Sequence, residues 1–142
     1  MWAVGELHAP LYWFPRQCPR GTVWARDDAE RSQLGELFQT TAVRLHVTEL
    51  AWLSRMRSCE LYVYRLDASP FRRWAEAEGQ WIAFEPVAPL SVEPAGDLLA
   101  RHADAAIELR YTPNLWLFWD KVVESGLPFS GVRLSNAAAR SG

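Results

Sequence analysis

The alternation of apolar and polar residues predicts the strands of this chain. Residues 43–48 alternate strictly, with Val43, Leu45 and Val47 on one face, which indicates a half-exposed strand. Residues 61–66 are apolar or aromatic on both faces, as is typical of a central strand. The other predicted strands cover residues 2–4, 22–25, 81–84, 87–92, 107–111 and 132–134.

Capping residues and helical spacing predict the helices. Thr112 is a good N-cap, Pro113 suits the first helical position and Gly126 follows the end, so a helix is expected over residues 113–124. Further helices are predicted over residues 27–38, 49–57, 69–75 and 97–104, with one or two helical turns over 8–14. Short helices among irregularly spaced strands indicate an α+β fold with a mixed, mostly antiparallel sheet.

Length and composition are those of one globular domain. The 142 residues are 49% hydrophobic and 23% charged, so the sequence predicts a single domain over residues 1–142 rather than a disordered chain. The strand near Met1 has nothing before it to cover its edge, so residues 1–5 are expected to form an N-terminally truncated edge. Residues 137–142 are small and polar and are expected to fray.

Net charge excludes two classes of partner. A formal charge of -2 is too near neutral for a broad nucleic-acid surface or for binding an anionic membrane. No signal-peptide pattern or membrane-spanning window occurs, and Cys18 and Cys59 are predicted to be reduced thiols. We therefore expect a cytoplasmic protein without a membrane partner, and the sequence leaves open a homo-oligomer.

Common catalytic and metal-binding motifs are missing from the sequence. It contains no P-loop, G-x-G-x-x-G, G-x-S-x-G or H-E-x-x-H pattern. The side chains that favour metals occur at no metal-like spacing, which predicts no metal site; they are His8, Cys18, His46, Cys59 and His102. Whether the protein is an enzyme is therefore left open.

Arg16 and Arg20 are the leading candidates for ligand binding. Each lies beside a proline that restricts the backbone, so holding an anion between the two guanidinium groups costs little ordering entropy. A phosphate or a carboxylate is the predicted ligand. In the structural alternative, the arginines pair with acidic neighbours such as Glu6 or Asp27 and fix the loop.

Polar side chains on two predicted strands form a second candidate group. Arg44 and His46 share one face of their strand, and Glu108 and Arg110 share one face of another, so the four could line one side of a sheet. The alternative is a solvated face with cross-strand ion pairs. Glu49 is either a general base or an acid that stabilises a helix dipole. Glu49, His46 and Glu108 are thus the candidate catalytic residues.

Several segments together resemble a family of uncharacterised bacterial proteins over nearly the whole chain. They are residues 8–12, the Pro-Arg-Gln-Cys-Pro-Arg element at 15–20, Glu49 with Trp52, residues 108–110 before Leu115 and Trp116, and residues 129–137. The resemblance implies an earlier strand with a His-x-Ser-Glu element, which this sequence lacks. The layout is also similar to ADP-ribosyltransferase-like folds, whose first strand often carries a histidine or arginine that holds the nicotinamide nucleotide.

The leading functional hypothesis is a nucleotide- or phosphate-binding domain of the ADP-ribosyltransferase-like type. In this hypothesis Arg16 and Arg20 bind the anionic ligand, Tyr12 or Trp13 stacks on a ring, and His8 belongs to the same site. NAD is the cofactor that the resemblance implies. The alternatives are a non-catalytic module whose tryptophan-rich surface binds a protein or small molecule, and an inactive, truncated member of the family.

Overall fold

The computed structural model describes residues 1–140. Within that part of the chain the elements, in order, are β1 (Trp2–Val4), β2 (Arg20–Trp24), α1 (Asp28–Phe38), β3 (Arg44–Glu49), α2 (Leu53–Ser58), β4 (Tyr62–Arg65), β5 (Arg72–Arg73), β6 (Gln80–Ile82), β7 (Ser91–Pro94), α3 (Leu98–Asp104), β8 (Glu108–Thr112), α4 (Trp116–Ser125) and β9 (Phe129–Val132). Short 3-10 segments cover Glu6–Tyr12, Leu50–Trp52 and Leu134–Asn136. Helices and mixed sheets together confirm the predicted α+β class.

Contacts along the chain define two compact units. The first consists of Met1–Trp13 and Glu60–Gly96, and the second of Phe14–Cys59 and the chain from Asp97 onward. The single domain over residues 1–142 stays a prediction.

A four-stranded sheet with the order β8-β3-β2-β9 forms the centre of the second unit. Strand β2 pairs antiparallel with β3 and β9, whereas β3 and β8 are parallel. One face of this sheet carries the apolar core, in which helices α1 and α4 contribute to a cluster of Val23, Leu34, Phe38, Leu45, Val47, Leu115, Val122 and Leu127. We call this side the apolar face.

Two paired glycines allow helix α4 to approach the apolar face closely. Gly21 of β2 lies opposite Gly131 of β9. A Cβ atom at Gly21 would stand 3.0 Å from the Phe118 ring, and one at Gly131 would collide with the Trp119 ring. The missing side chains therefore make room for the aromatic residues of α4.

The first unit contains two small sheets. One has the order β1-β6-β5, and the other consists of β4 and β7 alone. Trp2 of β1 contacts Trp74 edge-on, with ring centroids 5.3 Å apart. Gly79 precedes β6 with φ +77°, and a Cβ there would collide with the His8 ring, so both the backbone and the packing require glycine.

Two predicted elements of the first unit are wrong. Residues 61–66 were expected to form a central strand, but β4 pairs only with β7, and its Tyr62 and Tyr64 are 53% and 60% exposed. Residues 69–75 form no helix, since β5 within them pairs with β6 instead. A Ser-Pro start favours a helix locally, but the pairing of Arg72 and Arg73 with β6 overrides this weak local preference.

The edges of the second unit differ from expectation in two places. Helix α4 begins at Trp116 rather than at residue 113, with Leu115 as its N-cap residue, and Asn114 Oδ1 just before it accepts the Trp116 N–H at 3.1 Å. Residues 137–140 were expected to fray, yet Ala138 donates to Glu49 at 2.8 Å and Arg140 pairs with Asp120 at 2.7 Å. The last two residues of the predicted tail, 141 and 142, lie outside the described residues.

No helix within residues 1–140 is long and apolar enough to span a bilayer. The longest described helix, α1, has eleven residues. This finding concerns the part of the chain that the structure describes.

Candidate functional site

The face of the second unit's sheet opposite the apolar face is polar. Side chains alternate between the two faces along each strand, and the register between strands shows which residues lie on this face together. We call it the histidine face; its members are Arg20, Thr22, Trp24, Arg44, His46, Thr48, Leu109, Tyr111, Ser130 and Val132. Among these described strand residues there is no aspartate or glutamate, so the face carries positive charge only.

A hydrogen-bonded pair of histidines lies at the centre of the histidine face. His46 Nδ1 is 3.0 Å from His102 Nε2, and His102 Nδ1 is 2.8 Å from the Leu98 carbonyl oxygen. The carbonyl oxygen can only accept, so His102 carries its proton on Nδ1 and accepts at Nε2. His46 therefore donates from Nδ1, and its Nε2 keeps a lone pair.

Both imidazoles are deeply buried and neutral. His46 and His102 are each 1% exposed, and the Phe14 ring lies 5.6 Å and 5.3 Å from their ring centroids. Burial lowers the pKa of His46 well below its usual 6.5, and His102, Arg44 and Arg20 lower it further. Burial also lowers the pKa of His102, partly offset by the hydrogen bond to Leu98.

Arg44 is a cation without an anionic partner. It lies two residues before His46 on β3 and is partly buried, and this loss of hydration lowers the pKa of its guanidinium group. It makes no ion pair or hydrogen bond with any described residue. Removing a charge from water without pairing it is unfavourable, so this guanidinium group is available to an anion.

A second polar cluster surrounds Thr48 on the same face. Thr48 Oγ1 donates to the Pro19 carbonyl oxygen at 2.6 Å, so the Cys18 thiol, 3.1 Å away, donates to it in turn. Burial raises the pKa of Cys18, which keeps the thiol protonated. Tyr111, opposite Thr48 in the register, has a buried hydroxyl without a hydrogen-bond partner among the described residues.

The structure places Arg16 and Arg20 in different environments. Arg20 is the first residue of β2 and only 3% exposed; it donates to the Cys18 carbonyl oxygen at 2.9 Å and lies over the Phe14 ring. Arg16 is exposed and makes no ion pair with a described residue. The predicted acidic neighbour Asp27 instead caps α1 by accepting from Glu30 N at 2.8 Å.

The other three predicted ligand-binding residues belong to the first unit. His8 is buried, and its Nε2 lies 3.5 Å from a carboxylate oxygen of Glu78. Tyr12 is exposed, and its hydroxyl accepts a hydrogen bond of 2.7 Å from Gln80. Trp13 is partly buried, and its backbone N–H bonds to the Pro10 carbonyl oxygen at 3.2 Å.

Glu49 lies on the apolar face with both carboxylate oxygens occupied. They accept backbone N–H groups from Leu115 at 2.9 Å and from Ala138 at 2.8 Å. Glu49 is 3% exposed, so these bonds satisfy a buried carboxyl group and hold the start of α4 on the sheet.

Glu108 and Arg110 do not share a face with His46. The register pairs Leu45 with Glu108 and Val47 with Arg110, so both lie on the apolar face, and the expected four-residue group is wrong. Burial alone would raise the pKa of Glu108, but bonds from Arg110 and Thr40 hold it below its usual value. A shift of one residue in the pairing of β8 with β3 moves every β8 side chain relative to its neighbour on β3 to the other face, and the sequence does not reveal this register.

The expected half-exposed strand at residues 43–48 is also wrong in one respect. Strand β3 is buried on both faces from Leu45 to Glu49. It is central in the sheet, and Phe14 and helix α3 cover its polar side chains. His102 could have been noticed as a polar residue within the apolar stripe of its predicted helix, but its pairing with His46 is long-range.

The histidine pair is not part of a larger ligand set for metals. Among the described residues no group of three or more histidine, cysteine, aspartate or glutamate side chains is placed to hold a metal ion. The arrangement can instead accept a proton at one imidazole nitrogen and attract an anion through its arginines.

Comparison with known proteins identifies the family. No curated protein and no solved structure matches the chain. A family model described as a family of unknown function matches residues 1–137, and this agrees with the resemblance seen in the sequence to a family of uncharacterised proteins. The chain belongs to this family, DUF6886.

Proposed function

We propose that the second unit binds a small phosphate-bearing ligand of the nucleotide class on its histidine face. The observation that carries this proposal is the partly buried guanidinium group of Arg44, which has no anionic partner among the described residues. Arginine binds phosphate through paired N–H donors in a fixed geometry. Arg20 adds a second positive charge to the same face.

Two further polar atoms support a ligand on this face. The Tyr111 hydroxyl is buried and lacks a hydrogen-bond partner among the described residues, and His46 Nε2 forms no hydrogen bond with another described residue. Buried polar groups are nearly always bonded, so the unpartnered Tyr111 hydroxyl favours a ligand or ordered water on this face. At about 3.3 Å per strand residue, Arg44 and the strand position level with Tyr111 are roughly 13 Å apart, a distance that a nucleotide can span.

The resemblance to ADP-ribosyltransferase-like folds selects the first ligands to test. ADP-ribose and NAD both carry a diphosphate and rings that aromatic side chains can stack on. Of the three candidate catalytic residues, Glu49 and Glu108 have their carboxylates bonded within the protein. His46 is the remaining candidate for acid-base chemistry on such a ligand.

Isothermal titration calorimetry with ADP-ribose, NAD and inorganic phosphate tests the proposal. A ligand at one hundred times its Kd would also add about 2.7 kcal/mol to the free energy of unfolding. We expect R44Q to weaken binding roughly 10- to 100-fold, as loss of a charged hydrogen bond does. R31Q removes an exposed arginine from α1, which packs on the apolar face, and is the matched control.

Each outcome has a defined meaning. Binding that is weakened by R44Q but not by R31Q supports the histidine face. Equal loss in both variants indicates non-specific attraction of anions, and no binding of any probe contradicts the proposal. R16Q in the same titration tests Arg16: a loss comparable with that of R44Q would include Arg16 in the site.

A second candidate function is a non-catalytic interaction module in the first unit. Its exposed large hydrophobic side chains are Met1, Trp2, Leu7, Tyr12, Tyr62, Tyr64, Phe84, Leu90 and Val92. Those that adjoin one another would form a surface suited to binding a protein. Sedimentation at increasing concentration tests self-association: a rising weight-average mass supports it, and a constant monomer mass contradicts it.

A further inference from the structure

We propose that ligand binding on the histidine face is coupled to the uptake of one proton at Nε2 of His46. This inference rests on the proposed function, because it concerns the same site. It follows from the direction of the hydrogen bonds in the histidine pair and from the charges around it.

The hydrogen bonds leave one nitrogen available for a proton. His102 Nδ1 donates to the Leu98 carbonyl oxygen, and His102 Nε2 accepts from His46 Nδ1. A proton added to His102 Nε2 would place two N–H groups against each other and break the bond between the rings. A proton added to His46 Nε2 leaves both bonds intact, so the pair takes up a single proton there.

The groups around His46 keep it neutral until an anion arrives. It faces Arg44 on its own strand, Arg20 on β2, His102 on α3 and the apolar ring of Phe14. Leu109 lies opposite His46 on β8, followed on that face by the weakly acidic Tyr111. None of these groups is a carboxylate, so a bound phosphate would bring the first negative charge to the imidazole.

Coupling makes the affinity depend on pH in a definite direction. If binding raises the proton affinity of His46, then lower pH must strengthen binding by the same linkage. Between the pKa of His46 in the free protein and its pKa in the complex, binding takes up one full proton, and Kd rises about tenfold for each pH unit. Fractional uptake gives a proportionally smaller slope.

Calorimetry in buffers of different ionisation enthalpy measures the proton directly. ADP-ribose is the suitable probe, because its diphosphate has no group that titrates near neutral pH. We expect the observed enthalpy to vary with the buffer, with an uptake between zero and one proton per ligand that decreases as pH rises above the pKa of His46 in the complex. Binding with no dependence on buffer or pH overturns the coupling alone, whereas absence of binding overturns the proposed function as well.

The H46N variant tests the role of His46 Nε2 separately from that of Nδ1. The asparagine amide nitrogen can replace Nδ1 as the donor to His102, but it offers nothing at the position of Nε2. We expect the variant to bind with the weaker, high-pH affinity of the wild type at every pH and without proton uptake. Proton uptake that persists in H46N would assign the proton elsewhere and overturn the inference.

Nitrogen-15 NMR of the wild-type protein gives a test that needs no variant. The sequence has three histidines, His8, His46 and His102, so the ring signals are few. We expect His46 and His102 to carry their protons on Nδ1 without ligand and His46 to become doubly protonated with ADP-ribose. A free-state His46 protonated on Nε2 overturns the inference.

Discussion

The two faces of the second unit's sheet satisfy their polar groups in opposite ways. On the apolar face, Glu49 and Glu108 use their carboxylates to bind backbone, threonine or arginine groups of the protein itself. On the histidine face, Arg44 and Tyr111 have polar atoms without partners among the described residues. The first arrangement is that of a structural core, and on the second the ligand that we propose would supply the missing partners.

Under the proposed function, this difference would separate the residues that stabilise the sheet from those that bind a ligand. Helices α1 and α4 close the apolar face with a hydrophobic cluster, whose burial stabilises the fold. The histidine face can then retain unsatisfied groups at the expense of some stability, as functional sites commonly do. Substitutions on the two faces should therefore have effects of different size and sign.

The largest effect is expected from Leu115 on the apolar face. Leu115 is fully buried in the hydrophobic cluster, so L115A should lower the free energy of unfolding by about 3 kcal/mol through lost burial and the cavity left behind. Urea denaturation followed by circular dichroism measures the change. L117A is the control, since Leu117 on the same helix is 83% exposed; a comparable loss there would contradict this account of the core.

An intermediate effect is expected from pH. The pKa values of His46 and His102 are lowered in the folded state, so below about pH 6.5 the unfolded chain binds protons that the folded chain does not. Stability is fully present above that pH and should fall by about 1.4 kcal/mol per pH unit for each imidazole that stays neutral. Urea midpoints between pH 7 and pH 5 test this, and an undiminished slope in H46N would contradict it.

The smallest effect, and one of opposite sign, is expected from Tyr111. Its hydroxyl is buried without a partner among the described residues, so Y111F should leave stability unchanged or raise it by up to about 1 kcal/mol. Thermal denaturation of the unliganded protein measures the change. A loss greater than about 1 kcal/mol would show that the hydroxyl has a partner in solution.

Local signals predicted much of the second unit. The helices predicted over residues 27–38 and 97–104 appear as α1 and α3, and Gly126 ends α4 with φ +74°, as the sequence indicated. These features depend on a few neighbouring residues, so a single sequence is enough to find them. Alternation likewise located strands β3 and β8 to within one residue at each end.

The features that the sequence did not predict depend on contacts between residues far apart in the chain. His46 and His102 both appear as isolated histidines, and only the packing of α3 beside β3 brings them within 3.0 Å. Arg20 sits beside a proline in a segment that resembles an exposed loop, yet it begins a buried strand. Register and burial come from the whole sheet, which local patterns do not encode.

The parallel pairing of β3 with β8 has a consequence for how the second unit assembles. The parallel partner of β3 is β8, which lies far along the chain, after the whole 60–96 segment of the first unit. Before β8 and β9 have paired with them, β2 and β3 each have an unpaired edge that another chain can bind. Refolding of this protein should therefore give higher yields at low protein concentration, because partly folded chains would otherwise aggregate through their unpaired strand edges.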